Sequence, residues 1–88
     1  MLELKDFEEA KKRVDEVIIP TPLIYSPAFS KECRNVVYIK PENLQRTGAF
    51  KIRGAYNKIM KMDDESKSRG LIASSAGNHA QGVAYAAQ

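Results

Sequence analysis

No stretch of these 88 residues is apolar for long enough to cross a bilayer. The opening Met1-Leu2-Glu3 brings neither a basic leader nor an apolar segment, so neither a membrane partner nor a signal peptide is expected. Cys33 is the only cysteine, which excludes a disulfide within the chain and fits a reducing, cytoplasmic setting. It reads as an inert packing or surface thiol. His79 is the only histidine, and no cysteine or carboxylate stands at metal-ligand spacing, so no metal site is expected. A Walker-type phosphate loop and a nucleophile elbow are both missing. Excess charge of one sign is scarce too. Fourteen Lys plus Arg against eleven Asp plus Glu leave +3, with acids interleaved among the bases from Lys5 to Arg69, which argues against nucleic acid as a partner.

What is present is a short α/β pattern. Residues 6 to 18, DFEEAKKRVDEVI, place Phe7, Ala10, Val14, Val17 and Ile18 at helical spacing, with Asp6 and Glu9 as a capping box and Pro20 and Pro22 as the stop. Leu23 to Tyr25 is a short extended segment. VVYIK, residues 36 to 40, predicts a buried strand. Ile52, Ala55, Ile59 and Met62 mark one face of a helix over residues 50 to 62, followed by an acidic loop, DDESKSRG, that ends in Gly70. LIAS, residues 71 to 74, predicts a second strand, and Ala80, Val83, Ala84 and Ala87 a third helix.

Strand and helix alternate as in a parallel α/β unit. Two or three short strands do not supply the neighbours that a parallel sheet needs on both sides, and the helical pattern still runs at Gln88. A piece of a larger protein is expected.

Two glycine-punctuated loops lie where α/β proteins bind ligands, between a strand and a helix. The first is TGAFKIRGAYN, residues 47 to 57. Thr47, Gly48 and Ala49 permit close backbone approach, Phe50 offers a flat apolar face, and Lys51 falls in the first helical turn. An amine that is partly desolvated and close to the positive end of a helix dipole is favoured in its neutral, nucleophilic form. A surface lysine beside a buried phenylalanine is the alternative. The second loop is SSAGNHAQG, residues 74 to 82. Its hydroxyls and small residues at a helix start suit a carboxylate or phosphate, but taken by itself the loop reads first as Ser75 and Asn78 in plain helix capping and His79 in a structural role.

Taken together, KPENLQRTGAFKIRGAYN (residues 40 to 57) and ASSAGNHAQGVA (residues 73 to 84) resemble the threonine dehydratases, or threonine ammonia-lyases, of the fold type II pyridoxal-phosphate enzymes. RVDEVIIPTPLIYSP resembles the start of the same enzymes, so the likeness covers nearly the whole chain. It implies a tryptophan synthase β-like parallel-sheet architecture, with residues 1 to 88 as the N-terminal part of the catalytic domain and the remainder absent. It also implies pyridoxal 5'-phosphate as cofactor. By the resemblance, Lys51 carries the cofactor as a Schiff base, Phe50 lies beside it, and Asn78 bonds its phenolic oxygen. Ser75, Ala76, Gly77, Asn78 and His79 match the loop that holds the substrate carboxylate. A serine is common in the family where Ala49 stands here, which removes one hydroxyl.

The implied reaction converts L-threonine to 2-oxobutanoate and ammonia, with side activity on L-serine, in isoleucine biosynthesis or threonine catabolism. A homo-oligomeric parent enzyme is implied as well. The family's glycine-rich phosphate loop and its late partner for the pyridine nitrogen are not among these residues, so the isolated chain is expected to be inactive. Serine dehydratase, serine racemase and threonine synthase share the two loops. A non-catalytic binding or assembly module is the alternative from another class.

Overall fold

The structure, a computed structural model, describes residues 1–88. Its first helix, α1, runs over Leu4–Val14. The capping box lies three residues earlier than the spacing predicts: the Glu3 backbone N–H donates to Asp6 Oδ2 at 2.7 Å, so Asp6 is the third-position partner rather than the cap. The helix also stops four residues short of Ile18. Val17 and Ile18 instead close a turn by donating to the Val14 carbonyl at 3.0 Å each. Val14 is buried, whereas Phe7, expected on the inner face, is exposed.

After α1 come β1 (Ile24–Tyr25), α2 (Pro27–Cys33) and β2 (Tyr38–Ile39). Helix α2 has no apolar periodicity to announce it. It starts because the Ser26 hydroxyl accepts from Phe29 N–H at 3.3 Å and Pro27 is preset for a first helical position. Strands β1 and β2 pair antiparallel, Ile24 against Ile39 and Tyr25 against Tyr38, with the two tyrosine rings edge to face at 5.8 Å. The buried strand expected over residues 36 to 40 is therefore two residues long, and it is exposed on both faces. Nothing in the chain covers it. Residues 71 to 74 form no strand, because no segment pairs with them, and Ile72 is fully exposed. The acidic stretch expected as loop holds a short helix, α4 (Asp64–Ser68), capped by Asp63 accepting from Ser66 N–H.

Two longer helices carry the candidate site. Helix α3 spans Lys51–Met60 and α5 spans Asn78–Ala86, and they pack on each other. Ile52 is 0% exposed and is joined in the core by Val14, Ala49 and Ala55. This core is thin. The radius of gyration is 15.9 Å, against about 12 Å for a compact chain of this length. No helix is long and apolar enough to cross a membrane.

Candidate functional site

The backbone before Lys51 turns sharply. Thr47 (φ 63) and Gly48 (φ 71) are both left-handed, and a β-branched residue in that region is strained. The Thr47 Oγ1 is buried without a hydrogen-bond partner. Ala49 returns to extended backbone, Phe50 sits at the cap position, and Lys51 opens α3. The Lys51 amine is exposed, not partly desolvated as the sequence suggests, and Phe50 is 57% exposed rather than buried. Lys51 Nζ lies 4.8 Å from the centre of the Phe50 ring and takes part in no ion pair.

Side chains that carry no signal in the sequence hold this turn. Gln45, 4% exposed, imitates a strand: its Oε1 accepts from Ile19 N–H at 2.7 Å and Arg46 N–H at 3.1 Å, and its Nε2 donates to the Ile19 carbonyl at 2.8 Å. Arg46 Nε donates to the Val17 carbonyl at 2.6 Å, and its guanidinium lies 5.7 Å from the centre of the Tyr85 ring. Glu42 receives both prongs of Arg53, at 3.0 and 2.7 Å, and the Thr21 hydroxyl at 2.9 Å. No local pattern marks these partners, because each bond joins residues eleven or more apart or depends on the turn itself.

The Arg53 hydrogen bonds hold the Glu42 carboxyl well below its ordinary 4.5, at about 2, against an opposing effect of burial and with help from Thr21. Because the folded value is the lower one, Glu42 contributes stability above pH 4.5 that is lost as pH falls towards 2. Glu42→Gln is therefore expected to flatten the fall in stability across that acid window, measured by urea unfolding at successive pH values. An unchanged slope would show that Glu42 titrates as an ordinary carboxylate.

The second loop meets the first through Gly82. A helix-interior glycine costs about 1 kcal/mol relative to alanine, so its presence in α5 needs a reason. A Cβ at Gly82 would lie 3.2 Å from both Ile52 N and Lys51 C. The absence of that carbon lets α5 seat on the backbone of Lys51 itself. Asn78 lies one helical turn before Gly82 on the same side of α5. Gly82→Val is expected to destabilise by about 1–3 kcal/mol through overpacking, read as a lower urea midpoint. A midpoint equal to the parent's would mean that the two helices are free to separate.

Neither Ser75 nor Asn78 caps α5. Gly77 occupies the cap position with no side-chain bond, Asn78 is the first helical residue, and the Ser75 hydroxyl accepts from Gly77 N–H at 3.2 Å. The first-turn amides thus have no side-chain partner, as an anion site requires. Ser75, Ala76, Asn78 and His79 are exposed and Gly77 is half-buried. His79 borders an apolar groove of about 330 Å3 between α3 and α5, with Ile59, Met62 and Val83. The residues fit a pyridoxal group by their chemistry: an unpaired primary amine able to condense with an aldehyde, a flat ring exposed beside it, and open amides on the adjoining helix.

Residues 14–88 match the family described as pyridoxal-phosphate dependent enzyme. The L-threonine ammonia-lyase of Thermotoga maritima is 52% identical over 88 residues, which take in 100% of this chain and 22% of that protein. Serine racemase from Dictyostelium discoideum superimposes with a TM-score of 0.86 at 42% identity, over 97% of this chain and 28% of that one. The processed form of threonine deaminase isoform 2 from Solanum lycopersicum does so with a TM-score of 0.74 at 36% identity, over 98% and 25%. The chain spans 22% to 28% of the lengths of these relatives. With its fold shared with these enzymes and the family pattern running over most of its length, the chain belongs to the pyridoxal-phosphate dependent enzymes of fold type II.

Proposed function

We propose that residues 1–88 form the N-terminal part of the catalytic domain of a threonine dehydratase, which converts L-threonine to 2-oxobutanoate and ammonia and accepts L-serine as a second substrate. The observation that carries this reading is the seating of Gly82, in the second loop, on the backbone of Lys51, in the first. The identity to a threonine ammonia-lyase over the full chain supports the choice of substrate.

The bound pyridoxal phosphate supplies an electron sink for negative charge at the substrate's α-carbon. Lys51 would hold the cofactor through its amine, and the same Nζ, when free, would take the α-proton as general base. Phe50 would give the cofactor ring an apolar neighbour, and Asn78 would be the residue that holds its phenolic oxygen. The Ser75–His79 loop would bind the substrate carboxylate, through the Ser75 hydroxyl and the amides of Ala76, Asn78 and His79, with the Gly77 N–H holding Ser75 in place. Fixing that carboxylate sets which α-bond faces Lys51, and so which bond breaks. The β-hydroxyl would then leave with a proton as water, and the released enamine, passing to its imine, would be hydrolysed by water to 2-oxobutanoate and ammonia. The 88-residue chain alone is expected to turn over no threonine.

The likeness to a serine racemase favours a second reading, in which the same residues act on serine. Assaying the complete enzyme with L-threonine, L-serine and D-serine separates the two. Keto acid formed fastest from L-threonine is the expected result. Interconversion of the serine enantiomers without keto acid from threonine would replace the dehydratase with a racemase.

A further inference from the structure

Helix α3 begins without a side-chain cap. Arg53 N–H donates to the Phe50 carbonyl at 3.1 Å, which leaves the amides of Lys51 and Ile52 without a partner, and helices fray at such ends. Lys51 is the first residue of that turn, so fraying would carry its amine away. Two side chains of the turn are anchored to other elements: Ile52 by complete burial and Arg53 by Glu42.

The Glu42–Arg53 pair differs from the other ion pairs of the chain. Its side chains are 16% and 29% exposed, against 68% and 71% for Glu3 and Lys5. Exposed pairs constrain little, whereas a two-pronged guanidinium–carboxylate pair fixes direction as well as distance. The Thr21 hydroxyl holds the same carboxylate at 2.9 Å, and Lys40 Nζ donates to the Thr21 carbonyl at 2.7 Å. Glu42 thus cannot swing without breaking a second link. The pair also closes a span that contains the left-handed Thr47–Gly48 turn, which Gln45 holds from its other side through Ile19. A strained turn persists only when its surroundings over-determine it.

Resting on the reading of Lys51 as the cofactor-bearing lysine, we infer that Glu42 and Arg53, braced by Thr21, are positioning residues that fix the first turn of α3 and thereby the direction of the Lys51 amine. The pair does not touch the reacting atoms. Its effect is on where Nζ stands.

The test uses the complete enzyme, with Glu42→Gln, Arg53→Gln and Arg53→Lys, and with Arg13→Ala as a control that cuts a contact between α1 and α3 away from Lys51. Amide hydrogen exchange at residues 51 to 54 is measured without cofactor. Borohydride trapping of pyridoxal phosphate on Lys51, and kcat and KM for L-threonine, are measured with it. Arg53→Gln is expected to speed exchange at these amides and to slow trapping. It is also expected to lower kcat per bound cofactor by about ten- to a hundredfold, the scale of a misplacement near 1 Å, with KM within about twofold. Arg53→Lys, which keeps the charge but not the fork, is expected to fall between. Arg13→Ala is expected to lower the melting temperature without changing trapping or kcat.

Exchange and trapping at parental rates in both Arg53→Gln and Glu42→Gln would overturn the inference. So would a kcat loss fully explained by lost cofactor. Absence of threonine turnover in the unsubstituted enzyme would refute the dehydratase reading alone, and the amide exchange would still decide for or against the pair.

Discussion

Lys51→Ala in the complete enzyme is expected to abolish the borohydride-trappable adduct with pyridoxal phosphate and to lower threonine turnover by at least about 10²–10⁴, the range for loss of a positioned general base alone. The loss is expected to be larger than that range, because the proposed mechanism gives the same amine two roles. No neighbouring lysine can replace it. Lys40 is committed to the Thr21 carbonyl at 2.7 Å, and Lys58 lies seven residues along α3, about 10 Å away by helical rise. The turn that aims Lys51 is built for one position. Mass spectrometry of the reduced protein is the measurement: a cofactor mass on the peptide containing Lys51 in the parent, and none in the variant. An adduct of equal yield in Lys51→Ala would remove the central residue from this account.

Ile52→Ala is expected to cost about 2–5 kcal/mol, the range for removing a large aliphatic side chain from a core. Ile52 is the one large side chain that the chain buries completely. It also lies between Lys51 and Arg53, with its backbone N–H group against Gly82. A cavity there has few neighbours able to close it, since only seven of 88 residues are buried. Urea unfolding of the complete enzyme would register the change, with Ile59→Ala, at a half-buried position, expected to cost less. A loss for Ile52→Ala below about 1 kcal/mol would place the stabilising core elsewhere.

Helices α1, α3 and α5 were legible in the sequence because their apolar residues recur with the helical period, and that period reflects local geometry. Their ends were less so: α1 stops at Val14 because Val17 and Ile18 find bonds in a turn, a choice made by the chain around them. The exposure of the strand within residues 36 to 40 and the lack of a pairing partner for 71 to 74 were not legible, since a strand is defined by its neighbours. Helix α2 had a readable start in Ser26-Pro27 but no amphipathic pattern. Lys51 and the Ser75–His79 loop stood out through residue types in an unusual order. Glu42, Gln45 and Arg53 did not, for a polar residue looks the same in sequence whether it faces water or grips a backbone. Gly82 was the exception that could have been caught, as a glycine inside an otherwise strong helical run.

Thr47 invites a different use of the structure, as a guide to engineering. Its left-handed backbone costs about 1–3 kcal/mol for a residue other than glycine, and its unpartnered hydroxyl adds a desolvation cost of similar size. Thr47→Gly would relieve both, so position 47 is the natural first choice for anyone seeking a hardier enzyme. It stands four residues from Lys51, the amine proposed to carry the cofactor. Heat resistance gained there would come at the place where a relaxed turn does the most harm to rate.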